Sequence, residues 1–193
     1  MPRRAPSFAH LFFQLLPMPT PPPLETWLRG PVPGVPALLQ PVAHALLQAR
    51  DELREALHDF PPALLNERPA GVASVGFHLQ HLAGVLDRLL TYARQETLTE
   101  AQFAAFHAEV PPLTIEPDSL EKLLQEFSDQ VDRAVLQLKN TDPARLTEVR
   151  GVGRAQVPST LIGVLVHAAE HTTRHLGQLL VTAKWVRDVG AGS

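Results

Sequence analysis

LIGVLVHAAEHTTRHLGQLL (residues 161–180) sets His167, His171 and His175 four positions apart. A step of four along an α-helix is almost one turn, about 6 Å along the axis and about 40° around it. The three imidazoles therefore leave one side of a single helix, on the broad face that also carries Leu161 and Val164. Neutral imidazole is the commonest protein metal ligand, and two of them one turn apart can share an ion. A second apolar helical stretch, SVGFHLQHLAGVLDRLL (residues 74–90), carries His78 and His81. Bringing these two helices together would close a three-histidine site in which His171 and His175 supply two nitrogens and His81 or His78 the third; the alternative reading of the same spacing is histidines hydrogen-bonded in the core.

The surrounding periodicity is helical almost throughout. Leu38, Val42, Ala45, Leu46, Ala49, Leu53 and Leu57 recur at three and four, predicting a helix from about Ala37 that ends before Pro61-Pro62. The next is predicted from Val72 or Ser74 to Arg94. A short helix follows from Thr99 to Glu109, with Thr99 and Gln102 spaced as a capping box. Leu120, Leu123, Leu124, Phe127, Val131, Val135 and Leu138 mark another from Pro117 or Asp118. Thr141-Asp142-Pro143 predicts a cap and one turn, VRGVGRAQVP (149–158) a loop, and Val157 or Ser159 the start of the last helix, which runs to about Arg187. No stretch alternates like a half-buried strand. Four long amphipathic helices pack most simply as a four-helix bundle, so the fold class is all-α with short accessory helices.

Composition narrows the chemistry. The chain has 193 residues, 45% of them hydrophobic, enough for one domain with a sizeable core. Lys and Arg number 17 against 20 Asp and Glu, and no basic patch stands out, which argues against a nucleic-acid partner. No apolar run reaches the roughly 18–20 residues of a membrane span. There is no cysteine, so any metal is held by nitrogen and oxygen, and any thiol chemistry uses sulfur from another molecule. That suits a reducing cytosol, and a cytoplasmic location is the expectation. Residues 1–23 hold the short apolar run FAHLFFQLL and then PMPTPPP. They read as a proline-rich disordered extension rather than a secretory leader, with Met18 a candidate alternative start. Residues 24–188 form the helical domain and 189–193 a disordered tail.

Other metal scaffolds fail on inspection. A ferritin-like di-iron site wants two Glu-x-x-His pairs, and only Glu55-Ala-Leu-His58 fits; the His-Glu-x-x-His of zincin proteases is missing. Gly151-Val-Gly153 precedes a helix and is a weak anion-loop signal. Ser159 and Thr160 read as caps. His10, His44, His58 and His107 have no partners of the kind seen in the two main stretches.

The phrases His81-Leu-Ala-Gly-Val-Leu-Asp87-Arg88 and Ala-Glu170-His171-Thr-Thr-Arg174-His175-Leu-Gly177-Gln178 resemble the DinB-like (DinB/YfiT) superfamily, over about residues 24–187. The resemblance implies a bundle in up-down-down-up order, often a homodimer, with a divalent metal on three histidines that match His81, His171 and His175. It suggests nickel or zinc. It further implies a metal-dependent S-transferase, in which the metal activates an external low-molecular-weight thiol of the bacillithiol or mycothiol kind. Such an enzyme acts on small electrophiles in stress or detoxification; the competing expectation is a non-catalytic bundle that binds a metal or small molecule. His167 and His78 are left over, as groups flanking the site or bonded in the core. Asp87, about 240° round the helix from His81, is expected to pair with an arginine or cap, and Glu170 to lie on the surface.

Overall fold

The computed structural model describes residues 24–190, with side chains placed to residue 188. The readings of residues 1–23 and 189–193 as extension and tail fall almost wholly outside it. Five α-helices dominate: α1 (Gln40–Ala56), α2 (Val75–Ala93), α3 (Glu100–Ala108), α4 (Ser119–Lys139) and α5 (Leu161–Gly190). The predominantly helical expectation holds.

The helix starts follow local chemistry. Pro41 lies in the first turn of α1, where its missing N–H costs nothing. Ser74 caps α2 by accepting from Phe77 N–H at 3.1 Å. Thr99 and Gln102 form the capping box of α3, each side chain bonded to the other's backbone. Asp142 accepts from Ala144 N–H and opens a single 3-10 turn at Pro143. Upstream, the proline-rich lead-in is irregular. It is tied to α1 by Gln48, which accepts from Thr26 N–H, and by Gln40, which bonds both backbone groups of Val32.

The core lies where α1 and α2 each pack against both α4 and α5. Leu46 and Leu53 of α1, Leu79, Leu82 and Leu86 of α2, Phe127, Val131 and Leu138 of α4, and Leu165 and Leu179 of α5 are all fully buried. Each such side chain contributes about 1.5–3 kcal/mol by leaving water, so these contacts fix how α2 faces α5.

One segment differs from expectation. VRGVGRAQVP is not a loop: Val149–Val152 (β1) and Val157–Thr160 (β2) pair as an antiparallel hairpin, Val149 opposite Thr160 and Val152 opposite Val157. The last helix therefore starts at Leu161, later than Val157 or Ser159. Thr160 does cap it, accepting from Gly163 N–H, whereas Gly151-Val-Gly153 belongs to a strand and its turn. β-Branched residues at both ends of the strands favour pairing, and Gly153, with φ +71°, makes the turn. The buried Arg150 fastens the hairpin to α2 by donating from Nε to Ala93 O at 2.7 Å, satisfying a carbonyl at the helix end.

Gly76 shows how tightly the N-terminal turn of α2 is held. Its N–H donates to Leu65 O at 2.8 Å, and a Cβ there would sit 2.5 Å from Leu113 Cδ1 and 2.9 Å from Leu65 O. Gly177 on α5 has nothing within 4 Å of such a Cβ. Gly76→Ala is therefore expected to destabilise the protein by about 1–2 kcal/mol despite alanine's helix propensity. Gly177→Ala is expected to stabilise it by up to about 1 kcal/mol. Urea denaturation of the two variants checks the opposite signs.

Candidate metal centre

The seam between α2 and α5 is lined by imidazoles. His81 from the second turn of α2 meets His171 and His175 from the middle of α5, and one nitrogen from each lies within 4.8 Å of the others. His81 Nε2 and His171 Nε2 are 3.0 Å apart, close enough for both to bind at about 2.0–2.1 Å from a common point. The ring centres of His81 and His175 are 4.4 Å apart, those of His171 and His175 4.5 Å.

The groups behind the rings fix which nitrogens face inward. Glu109, at the C-terminal cap of α3, is buried and places Oε2 2.8 Å from His81 Nδ1 and Oε1 2.6 Å from Arg88 Nη1. Burial pushes its carboxyl up, but the bonds from His81 and Arg88 and the Arg88 charge outweigh it. The carboxyl stays below the ordinary range and ionised. An ionised carboxylate only accepts, so His81 Nδ1 carries a proton, and it is the neutral form of the ring that presents the Nε2 lone pair to the seam. His175 Nδ1 is likewise engaged, 3.2 Å from Nδ1 of the buried His78, which leaves its Nε2 available. His171 Nδ1 is buried without a hydrogen-bond partner.

This arrangement fits a divalent cation. Imidazole nitrogens converge from two helices, and in the metal-free protein His81 Nε2 and His171 Nε2 are within hydrogen-bond distance, His171 supplying the proton where Glu109 fixes the His81 tautomer; a cation would take that proton's place. A carboxylate behind a ligating histidine is the usual outer partner in such sites, orienting the ring and raising its basicity. Phe77 stacks on His81, ring centres 5.4 Å apart and planes within 9°, and shields one face of the ligand from water.

The histidine ionisation fits as well. Burial, then the neighbouring His175 and His81, push the His78 imidazole down to about 4. Burial, then His175, His81, His167 and Arg174, bring His171 to about 4 too. Burial and His81, with Arg174, lower His175 against an opposing pull from Glu109. Neutral rings at neutral pH are the form that binds metal.

The leftover residues acquire places. His78 is not a bystander at the rim but a core group bonded to a candidate ligand. His167 is about half exposed, pairs through Nδ1 with Glu170 Oε2 at 3.0 Å, and meets His171 only edge-on. Glu170 lies on the surface and also pairs with Arg174. Among the described residues Asp87 pairs with no arginine: it accepts amides from Gln102 at 2.6 Å and Gln130 at 3.0 Å. His78 and Arg174, with Val72, Ala73, Gly177 and Gln178, line an open cleft of about 580 Å³ beside the seam.

Sequence reasoning missed Glu109 and Arg88. A signal for them is present: His81 and Arg88 stand seven residues, two turns, apart on one face of α2, with Gly84 between them. A Cβ at Gly84 would meet Glu109 Oε1 at 2.5 Å and Arg88 Nη1 at 2.8 Å. Glycine there lets the carboxylate lie across the helix and touch both groups.

The lowered histidines set a pH dependence for metal-free protein. Between 6.5 and about 4 the unfolded chain binds protons that native His78 and His171 refuse. Their neutral burial is thus compatible with full stability above about pH 6.5, and stability is lost as pH falls toward 4. Chelator-treated protein should unfold at lower urea at about pH 5 than at about pH 7.5, with His78→Phe reducing the difference; equal midpoints in wild type would contradict this reading of the buried rings.

No curated protein matches the chain. The sequence profile described as the DinB superfamily matches residues 45–179, a span that contains His81, His171 and His175. It covers well over half of the 193 residues and agrees with the helical fold and the histidine seam, and on that match the chain belongs to the DinB superfamily.

Proposed function

We propose that this protein binds one divalent ion, nickel or zinc, through His81, His171 and His175, and uses it as a cytoplasmic S-transferase. The reaction would join an external low-molecular-weight thiol, of the bacillithiol or mycothiol kind, to a small electrophile in stress or detoxification. The observation that carries the metal reading is the convergence of the three imidazoles, with His81 turned lone pair inward by ionised Glu109. A chain without cysteine can bind a soft substrate sulfur at such a site with no competing thiol of its own.

When bound, the ion supplies Lewis acidity that favours the anionic form of a thiol near neutral pH. The protein's own groups do the rest. Glu109 holds the Nδ1 proton of His81, and Arg88 offsets the carboxylate's buried charge. His78 holds His175 at its outer nitrogen, and Phe77 keeps water from one face of His81. The cleft walled by His78, Arg174 and Gly177 is where a small electrophile would lie. The family resemblance supports the up-down-down-up bundle and a homodimer.

The second reading is a non-catalytic bundle that binds a metal or small molecule without turnover. The open cleft beside the histidines supports small-molecule binding, which both readings share.

Two measurements test the proposal. After loading and desalting, wild type is expected to retain about one nickel or zinc ion per chain, and His171→Ala and His175→Ala far less, a loss of the order seen when a ligand of a three-histidine site is removed. Equally little metal in all three would end the metal reading. Bacillithiol or mycothiol with monochlorobimane should give turnover that chelation and either variant abolish. Metal retention without turnover leaves the non-catalytic reading, and turnover indifferent to chelation overturns metal activation of the thiol.

A further inference from the structure

Helix α3 is held to the molecule in an unusual way. None of its nine residues is buried, and Phe103 and Phe106 are 42% and 45% exposed. Ala105 and Ala108 face an open cleft of about 620 Å³ between α2, α3 and α4 instead of a packed interface. A helix shorter than about 12–15 residues is marginal in water without tertiary packing, so its position depends on specific contacts.

Those contacts are mostly polar pins to one face of α2. Gln102 donates from Nε2 to Asp87 Oδ2 at 2.6 Å and to Thr91 Oγ1 at 2.8 Å. The Arg88 guanidinium lies over the Phe106 ring, 4.7 Å from its centre. At the C-terminal end Glu109 bonds Arg88 and His81. Beyond it, Leu113 is clipped to Asn66 through both backbone groups, so the segment is anchored downstream of α3 whether or not the helix is docked. The last pin of α3 on α2 is therefore the outer partner of a metal-ligand histidine.

We propose that α3 is a flap whose docking onto α2 is thermodynamically coupled to metal binding through the single carboxylate of Glu109. The coupling rests on the reading that an ion binds at His81. A cation on Nε2 withdraws electrons from the ring and makes Nδ1–H a stronger donor, which tightens the bond to Glu109 and holds down the end of α3. Because binding linkages are reciprocal, loosening α3 at its far end must weaken metal binding. Gln102 makes its pins to Asp87 and Thr91, not to any candidate ligand, which makes it a positioning residue that acts through α3 and Glu109.

Hydrogen exchange of the α3 amides, with chelator and with zinc, reads the coupling in one direction; zinc affinity reads it in the other. Zinc is expected to slow exchange across residues 100–108 of wild type by about five-fold or more, and Gln102→Ala to weaken zinc binding by a similar factor. Glu109→Gln should weaken binding by roughly 10–100-fold and abolish the zinc effect on exchange. Adding Gln102→Ala in that background should change affinity no further, a non-additivity that mere loss of stability would not produce. Unchanged exchange in zinc-loaded wild type, or wild-type affinity in Gln102→Ala, overturns the coupling while the metal site stands. Failure of wild type to bind zinc removes both.

Discussion

Polar rings packed between two helices must find partners, because an unsatisfied buried polar group costs on the order of 1–3 kcal/mol. That constraint organises the centre of this protein. The seam of α2 and α5 takes His78, His81, His171 and His175 where leucine would pack more cheaply. His81 is satisfied by Glu109, Glu109 by Arg88, and His175 by His78. The chain of partners runs on from His81 Nε2 to His171 Nε2 and stops at His171 Nδ1, which has no partner among the described residues. His81 Nε2 and His171 Nε2 lie 3.0 Å apart, and the His81, His171 and His175 nitrogens are close enough together to hold a cation.

The same constraint reaches into regions that look unrelated to the site. Gly84 is small because the Glu109 carboxylate crosses α2 at that point. The capping box of α3 sets the phase of a helix whose last act is to deliver that carboxylate. The core leucines of α2, α4 and α5 hold the seam rigid, whereas α3 buries none of its residues. Stability is thus unevenly distributed, as is usual where one element must move and another must hold geometry. The candidate ligands sit on the well-packed helices, and Glu109, the partner of His81, caps the loosely held one.

Features that rest on local chemistry were legible in the sequence. Ser74, Thr99 with Gln102, and Asp142-Pro143 mark helix starts through side-chain to backbone bonds a few residues long, and the structure makes each of them. The histidine spacing placed His171 and His175 on one face, and the family phrase around His81 chose it over His78. Longer-range consequences were hidden. Glu109 and His81 are 28 residues apart in sequence, and nothing local marks a glutamate before Val110-Pro111-Pro112 as buried. Asp87, on a different side of its helix from His81, reads as an arginine's partner, yet two glutamines from other helices reach it. The hairpin escaped because four-residue strands containing Gly151 and Pro158 carry little alternation. Pairing across a tight turn, more than strand propensity, forms it.

X-ray absorption of zinc-loaded protein reads whether three imidazole nitrogens share one ion. The expected first shell contains three nitrogens at about 2.0–2.1 Å, with the outer-shell scattering of rigid imidazole rings, reduced by one ring in His81→Ala. A first shell of oxygen without imidazole scattering, or a spectrum unchanged in His81→Ala, would contradict it.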